Sequence, residues 1–101
     1  MPEMHFTVRW PDGAVEDCYS PSLVMWDHLE VGAEYPVGEF ARRATTALEE
    51  AGERVRVRFG FLCTSALAQA ERIRQRSAGL DPEAPVRVLA MAPPLPVEVR
   101  A

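Results

Sequence analysis

Met4-His5-Phe6-Thr7-Val8-Arg9-Trp10-Pro11-Asp12-Gly13 is the stretch on which the fold turns. Met4, Phe6, Val8 and Trp10 fall on one face of an extended chain, and His5, Thr7 and Arg9 fall on the other. A two-residue period marks a half-buried strand, here over residues 3–10. Pro11-Asp12-Gly13 supplies the chemistry of a tight turn: proline presets φ, aspartate suits the second position and glycine accepts a left-handed backbone. A hairpin follows, with residues 14–20 as the return strand. A turn centred on Pro11-Asp12 with a bulge at Gly13 sets Phe6 opposite Cys18 and puts Cys18 on the apolar face. A register shifted by one would put Val15 and Tyr19 there instead; the first register is preferred.

Beyond the hairpin, Ser20-Pro21 reads as a helix start, serine as N-cap and proline at the first helical position. A short helix over 21–29 would bury Leu23, Trp26 and Leu29 and stop at Gly32. Tyr35-Pro36 opens a second helix. Val37, Phe40, Ala44, Leu48, Ala51, Val55 and Phe59 form one stripe at helical spacing. Arg54-Val55-Arg56-Val57-Arg58-Phe59 also alternates like a strand, in which case Gly52 would cap a shorter helix. A glycine inside a helix costs only about 1 kcal/mol, and the stripe stays in phase across Gly52, so the helix running to Gly60 is preferred. Phe61-Leu62-Cys63 is an apolar connector. Thr64 or Ser65 caps a third helix over 65–78 that turns Leu67, Ala70 and Ile73 inward and stops at Gly79. Residues 86–91 are a strand whose apolar density suggests a central place beside the first. The order ββαααβ defines an α+β two-layer sandwich with one sheet face under helices.

Composition bounds the rest. The 101 residues make one domain, with 92–101 as a proline-rich tail. Hydrophobic residues are 48% and charged residues 26%, the balance of a globular chain rather than a disordered one. Fifteen acids against eleven bases give a net charge of −4, which argues against a nucleic-acid binder. Every base is arginine, and without lysine neither Schiff-base chemistry nor the usual P-loop is available. No apolar run reaches the length of a membrane span. The N-terminal residues show no basic region followed by an apolar run, so the cytoplasm is the expected compartment and the two cysteines are expected as free thiols.

Candidate chemistry is sparse. Cys18 and Cys63 are candidate thiols. Cys63 stands just ahead of a predicted helix, where the dipole favours a thiolate; the plainer reading, preferred here, makes both small apolar core residues. His5, His28, Cys18 and Cys63 match a zinc ligand count without any ligand spacing, and His5 and Cys18 point to opposite sheet faces, so no metal site and no cofactor are expected. Ser20, Ser22, Ser65 and Ser77 lack the glycines of a nucleophile elbow. Asp27 and His28 are adjacent and do not face each other on a helix. Arg54 and Arg58, with Arg42, Arg43 and Arg56 near them, are a candidate anion patch; ion pairing with Glu50 and Glu53 is preferred. Trp10, Trp26 and Tyr35 are candidate interface aromatics, with Trp10 beside the turn equally suited to capping the core.

One family resemblance is carried by His5-Phe6-Thr7-Val8-Arg9-Trp10-Pro11-Asp12-Gly13 and Cys18-Tyr19-Ser20-Pro21-Ser22, supported by Tyr35-Pro36, Arg54-Val55-Arg56 and Phe59-Gly60-Phe61-x-Cys63. These resemble short bacterial nitrogen-starvation response proteins, from Met1 to about residue 76 and again at 86–91. The resemblance implies a single-domain cytoplasmic protein encoded beside a nitrilase, a radical-SAM protein, an acetyltransferase and an oxidoreductase. It implies no catalytic residue. The expected role is a non-catalytic accessory protein whose partners are proteins, the products of neighbouring genes. The alternatives are a ligand-binding or thiol-dependent enzyme using Cys63 and Cys18, and a homodimer in which residues 97–100 join another chain's sheet edge.

Overall fold

The computed structural model describes residues 3–61 and 63–93. Strands β1 (Met4–Arg9) and β2 (Val15–Ser20) form the hairpin. The Gly13 N–H donates to the Trp10 carbonyl at 2.8 Å, closing the turn, and Gly13 takes φ 91°, the left-handed value only glycine adopts without cost. Asp12 Oδ1 accepts the Ala14 N–H at 3.0 Å and locks the corner. The register places Phe6 opposite Cys18, as the preferred pairing requires; Val15 and Tyr19 lie on the outer face.

Next comes a short 3-10 helix, Leu23–Asp27, instead of an α-helix over 21–29. Ser22, not Ser20, is its N-cap, and its Oγ accepts the Val24 N–H. Ser20 ends β2, and its hydroxyl donates to the Ser22 carbonyl at 2.8 Å, which takes it out of the capping role. The tighter turn changes the buried face: Val24, Met25 and Leu29 are buried, while Leu23 and Trp26 are only partly so.

Tyr35-Pro36 does not open a helix. Strand β3 (Glu34–Pro36) occupies that position. A residue before proline is pushed to extended backbone, and Pro36 itself is extended at ψ 147°. Helix α1 therefore begins one residue later and runs Val37–Phe59 without a break at Gly52. Its orphan N–H groups are met by loop carbonyls: Val37 donates to Ala84 at 2.8 Å and Gly38 to Pro82 at 3.0 Å. The predicted stripe is buried from Val37 to Val55. Gly60 ends the helix at φ 81°. Helix α2 (Thr64–Ala78) turns back from there, and β4 (Pro85–Ala92) closes the chain described.

The antiparallel sheet has the order β2-β1-β4-β3, with β4 beside β1 as expected. Pairing slips by one residue between Thr7 and Val8, leaving Leu89 as the extra residue of a bulge. The architecture is α+β with two layers, but with two α-helices and a 3-10 turn where three helices are expected, and with a fourth strand. Met4, Phe6, Val8, Trp10, Val86 and Val88 from the sheet meet Phe40, Leu48 and Ile73 from the helices. Helix α2 also flanks the β2 edge, where the Tyr19 N–H donates to Gln69 Oε1 at 3.0 Å. That contact blunts part of an otherwise open strand edge. Ala92, the first residue of the expected 92–101 tail, belongs to β4; residues 94–101, and with them the strand-exchange homodimer, lie outside the described residues.

Candidate functional site

Helix α1 is long for the sheet it covers. At 1.5 Å per residue, the 23 residues of α1 span about 35 Å. Six-residue strands span about 20 Å, and four strands side by side are narrower still. The helix outruns the sheet in either direction. Phe59, the end of the predicted stripe, lies in the last turn of this long helix and is 52% exposed. Phe61 follows at 59% exposure, its ring centroid 6.1 Å from that of Phe59. Leu67, expected to face inward, is exposed as well: the buried line of α2 runs through Ala66, Gln69, Ala70 and Ile73. Together, the exposed parts of these three side chains amount to about 300 Å² of apolar surface at the elbow between α1 and α2, the scale of a functional patch.

Two shallow grooves meet at this elbow. One, of about 300 Å³, is lined by Glu3, Tyr19, Pro21, Val55, Phe59, Phe61 and Cys63. The other, of about 160 Å³, lies between the helices among Glu49, Gly52, Glu53, Cys63 and Leu67. A Cβ on Gly52 would sit 3.7 Å from Ala66 Cβ, an ordinary contact, so packing does not demand glycine here, and its bare backbone lines the second groove. Cys63 borders both grooves, half-buried, as the N-cap residue of α2, and its carbonyl accepts the Leu67 N–H. Burial, and the Glu3 carboxylate beside it, push the Tyr19 phenol above its ordinary value. The Arg56 guanidinium holds the Glu53 carboxyl below the usual carboxylate range, so Glu53 stays ionised and paired.

The other sequence candidates are scattered. Cys18 is buried under the helices, and burial, aided by Glu16 and Asp17, pushes its thiol up to about 12. It is a protonated core residue at neutral pH, while Cys63 is reachable from solvent. Trp10 is 1% exposed, which rules out the interface reading and leaves the core one. Its indole N–H donates to Glu16 Oε1 at 2.9 Å, its ring meets Phe40 edge-on at 5.4 Å, and Arg76 covers it at 5.1 Å. Burying the alternating face of β1 carries Trp10 into the core, with one inward carboxylate to satisfy it. Trp26 and Tyr35 are half-buried. The Trp26 indole donates to the Pro93 carbonyl at 3.1 Å, and the Tyr35 hydroxyl accepts the Glu30 N–H at 3.1 Å beneath Arg43. Both are tied to their own chain.

Arg54 and Arg58 share a depression on α1 with Glu50, Glu53 and Val57. Arg54 lies 3.7 Å from Glu50, and its Nη1 donates to Ser22 Oγ at 3.4 Å, while Arg58 lies over the Phe59 ring. Two carboxylates thus stand among the two guanidiniums. His28 meets Glu50 at 3.0 Å, far from His5, which packs edge-on against Tyr19 on the outer sheet face. No group of three metal-ligating side chains converges among the described residues, and no described helix is long and apolar enough to cross a membrane.

Fold and surface together define a small two-layer α+β domain whose most distinctive feature is an exposed aromatic elbow with an acidic rim. The family model for the nitrogen starvation-induced protein NitG matches residues 5–91, and the chain belongs to that family. No curated protein and no solved structure matches it. The match covers the hairpin, both helices and nearly all of β4, so the elbow lies inside the region that defines the family.

Proposed function

We propose that this member of the nitrogen starvation-induced family is a non-catalytic accessory protein that docks a protein partner through the α1–α2 elbow. The observation that carries this reading is the exposure of Phe59, Phe61 and Leu67 around one pair of grooves. Large apolar side chains left in water at a single place mark contact surfaces more often than chance. Partners in the cytoplasm, among products of genes neighbouring a nitrilase, fit the resemblance described above. Retention of those enzymes by the tagged full chain, with a defined complex mass, tests the reading. Loss of retention in a Phe59→Ser/Phe61→Ser variant is expected. Equal retention by that variant, or none by the parent, contradicts it.

A second reading, thiol chemistry at Cys63, has one observation in its favour: the thiol borders both grooves. The buried and protonated Cys18 offers it no second thiolate. Alkylation rates against pH separate the two readings, since a catalytic thiol reacts fast at neutral pH and a bystander does not.

A further inference from the structure

We propose that the partner segment seated on the elbow presents apolar side chains flanked by arginine or lysine. This rests on the docking reading above and deepens it by naming the chemistry of the occupant. Each groove has an apolar floor: Val55, Phe59 and Phe61 in the larger, Leu67 and the bare Gly52 in the smaller. Among the described residues, the charged side chains lining the two grooves are Glu3, Glu49 and Glu53, all carboxylates. Their positions bracket the apolar floor, with Glu3 beyond the sheet end and Glu49 and Glu53 on the flank of α1.

These carboxylates are not used up by internal pairs. Glu49 accepts from Arg74 at 2.8 Å and Glu53 from Arg56, yet their side chains remain 60% and 56% exposed. A carboxylate offers about four acceptor sites, so each can take a further N–H donor. The net charge of −4 adds a long-range attraction of the same sign. The volumes of about 300 and 160 Å³ suit a few side chains rather than a folded ligand. Burying about 300 Å² of apolar elbow, with a polar rim of similar extent, approaches one side of a modest protein interface. An acidic segment would meet three carboxylates, while the cations beside them are engaged, Arg56 with Glu53, Arg74 with Glu49 and Arg58 over the Phe59 ring; that juxtaposition disfavours association.

Titration of the isotopically labelled full chain with a short amphipathic leucine–lysine peptide, and with its leucine–glutamate counterpart, tests the inference by amide shifts. The basic peptide is expected to move resonances at residues 49–67, to bind at least about tenfold tighter than the acidic one and to weaken with salt. Glu49→Gln/Glu53→Gln is expected to shrink that preference without unfolding the chain. Equal binding of the two peptides, shifts confined to another face, or self-association occupying the elbow by sedimentation would overturn it. Should Phe59→Ser/Phe61→Ser abolish retention of the neighbouring enzymes while Glu49→Gln/Glu53→Gln leaves both retention and peptide preference intact, the docking reading stands and the charge inference falls.

Discussion

Two phenylalanines separate the core from the elbow, and replacing each gives the stability test with the widest margin. Phe40 is fully buried and makes an edge contact with Trp10 at 5.4 Å. Truncating a buried phenylalanine to alanine costs about 3–5 kcal/mol through lost burial and a residual cavity, and the aromatic pair places Phe40→Ala in the upper part of that range. Phe61 is 59% exposed, so about two-fifths of its surface is covered. Scaling the roughly 1.5–3 kcal/mol of a fully buried side chain by that fraction gives about 1 kcal/mol or less for Phe61→Ser. In a domain of this size 1 kcal/mol moves the midpoint by about 4–8 °C, so Phe61→Ser shifts Tm by less than about 8 °C and Phe40→Ala by more than about 12 °C. Urea and thermal unfolding by far-ultraviolet circular dichroism measure both. A loss of 3 kcal/mol or more in Phe61→Ser would refute the exposure assigned to the elbow.

Glu16→Ala strips the buried Trp10 indole of its acceptor and should cost about 1–3 kcal/mol in urea unfolding, with a change in tryptophan emission. Gly60→Ala forces a Cβ into the left-handed cap at φ 81° and should cost about 1–2 kcal/mol. Native protein should expose one thiol to a disulfide reagent and denatured protein two, because Cys63 is half-buried and Cys18 is covered. The Cys18 pKa is raised on folding, from 9.0 to about 12, so the unfolded chain loses its proton first. Stability therefore falls as pH rises between those values, by up to about 1.4 kcal/mol per pH unit, and Cys18→Val should flatten the slope; an unchanged slope would contradict the burial assigned to this thiol.

Where local pattern and tertiary burial agree, the fold was readable from the residues. The alternation of Met4 to Trp10 and the Pro11-Asp12-Gly13 turn yielded both the hairpin and its register, because shifting it would turn Cys18 out of the core and Val15 into it. The unbroken stripe from Val37 to Val55 likewise resolved the choice between helix and strand at 54–59. Ser20 before Pro21 reads as the cap, but the Ser22 carbonyl takes its hydroxyl and Ser22 caps the 3-10 helix instead. Strand β3 escaped notice because three residues carry no periodicity, although the bias of Tyr35 before Pro36 was available. The elbow was hidden for another reason. Phe59 continues the buried stripe in phase, yet it lies in the last turn of a 23-residue helix, where the structure leaves it exposed. Trp10 was legible as a face residue of β1, but its acceptor depended on Glu16 turning inward from the neighbouring strand.

Docking at the elbow is most directly tested by the mass of the complex formed by the tagged full chain with the neighbouring gene products, measured for the parent and for Phe59→Ser/Phe61→Ser side by side. A single defined complex in the parent that dissolves in the variant, while both chains keep the same circular dichroism, is the predicted result. A complex of unchanged mass and yield in the variant would contradict it.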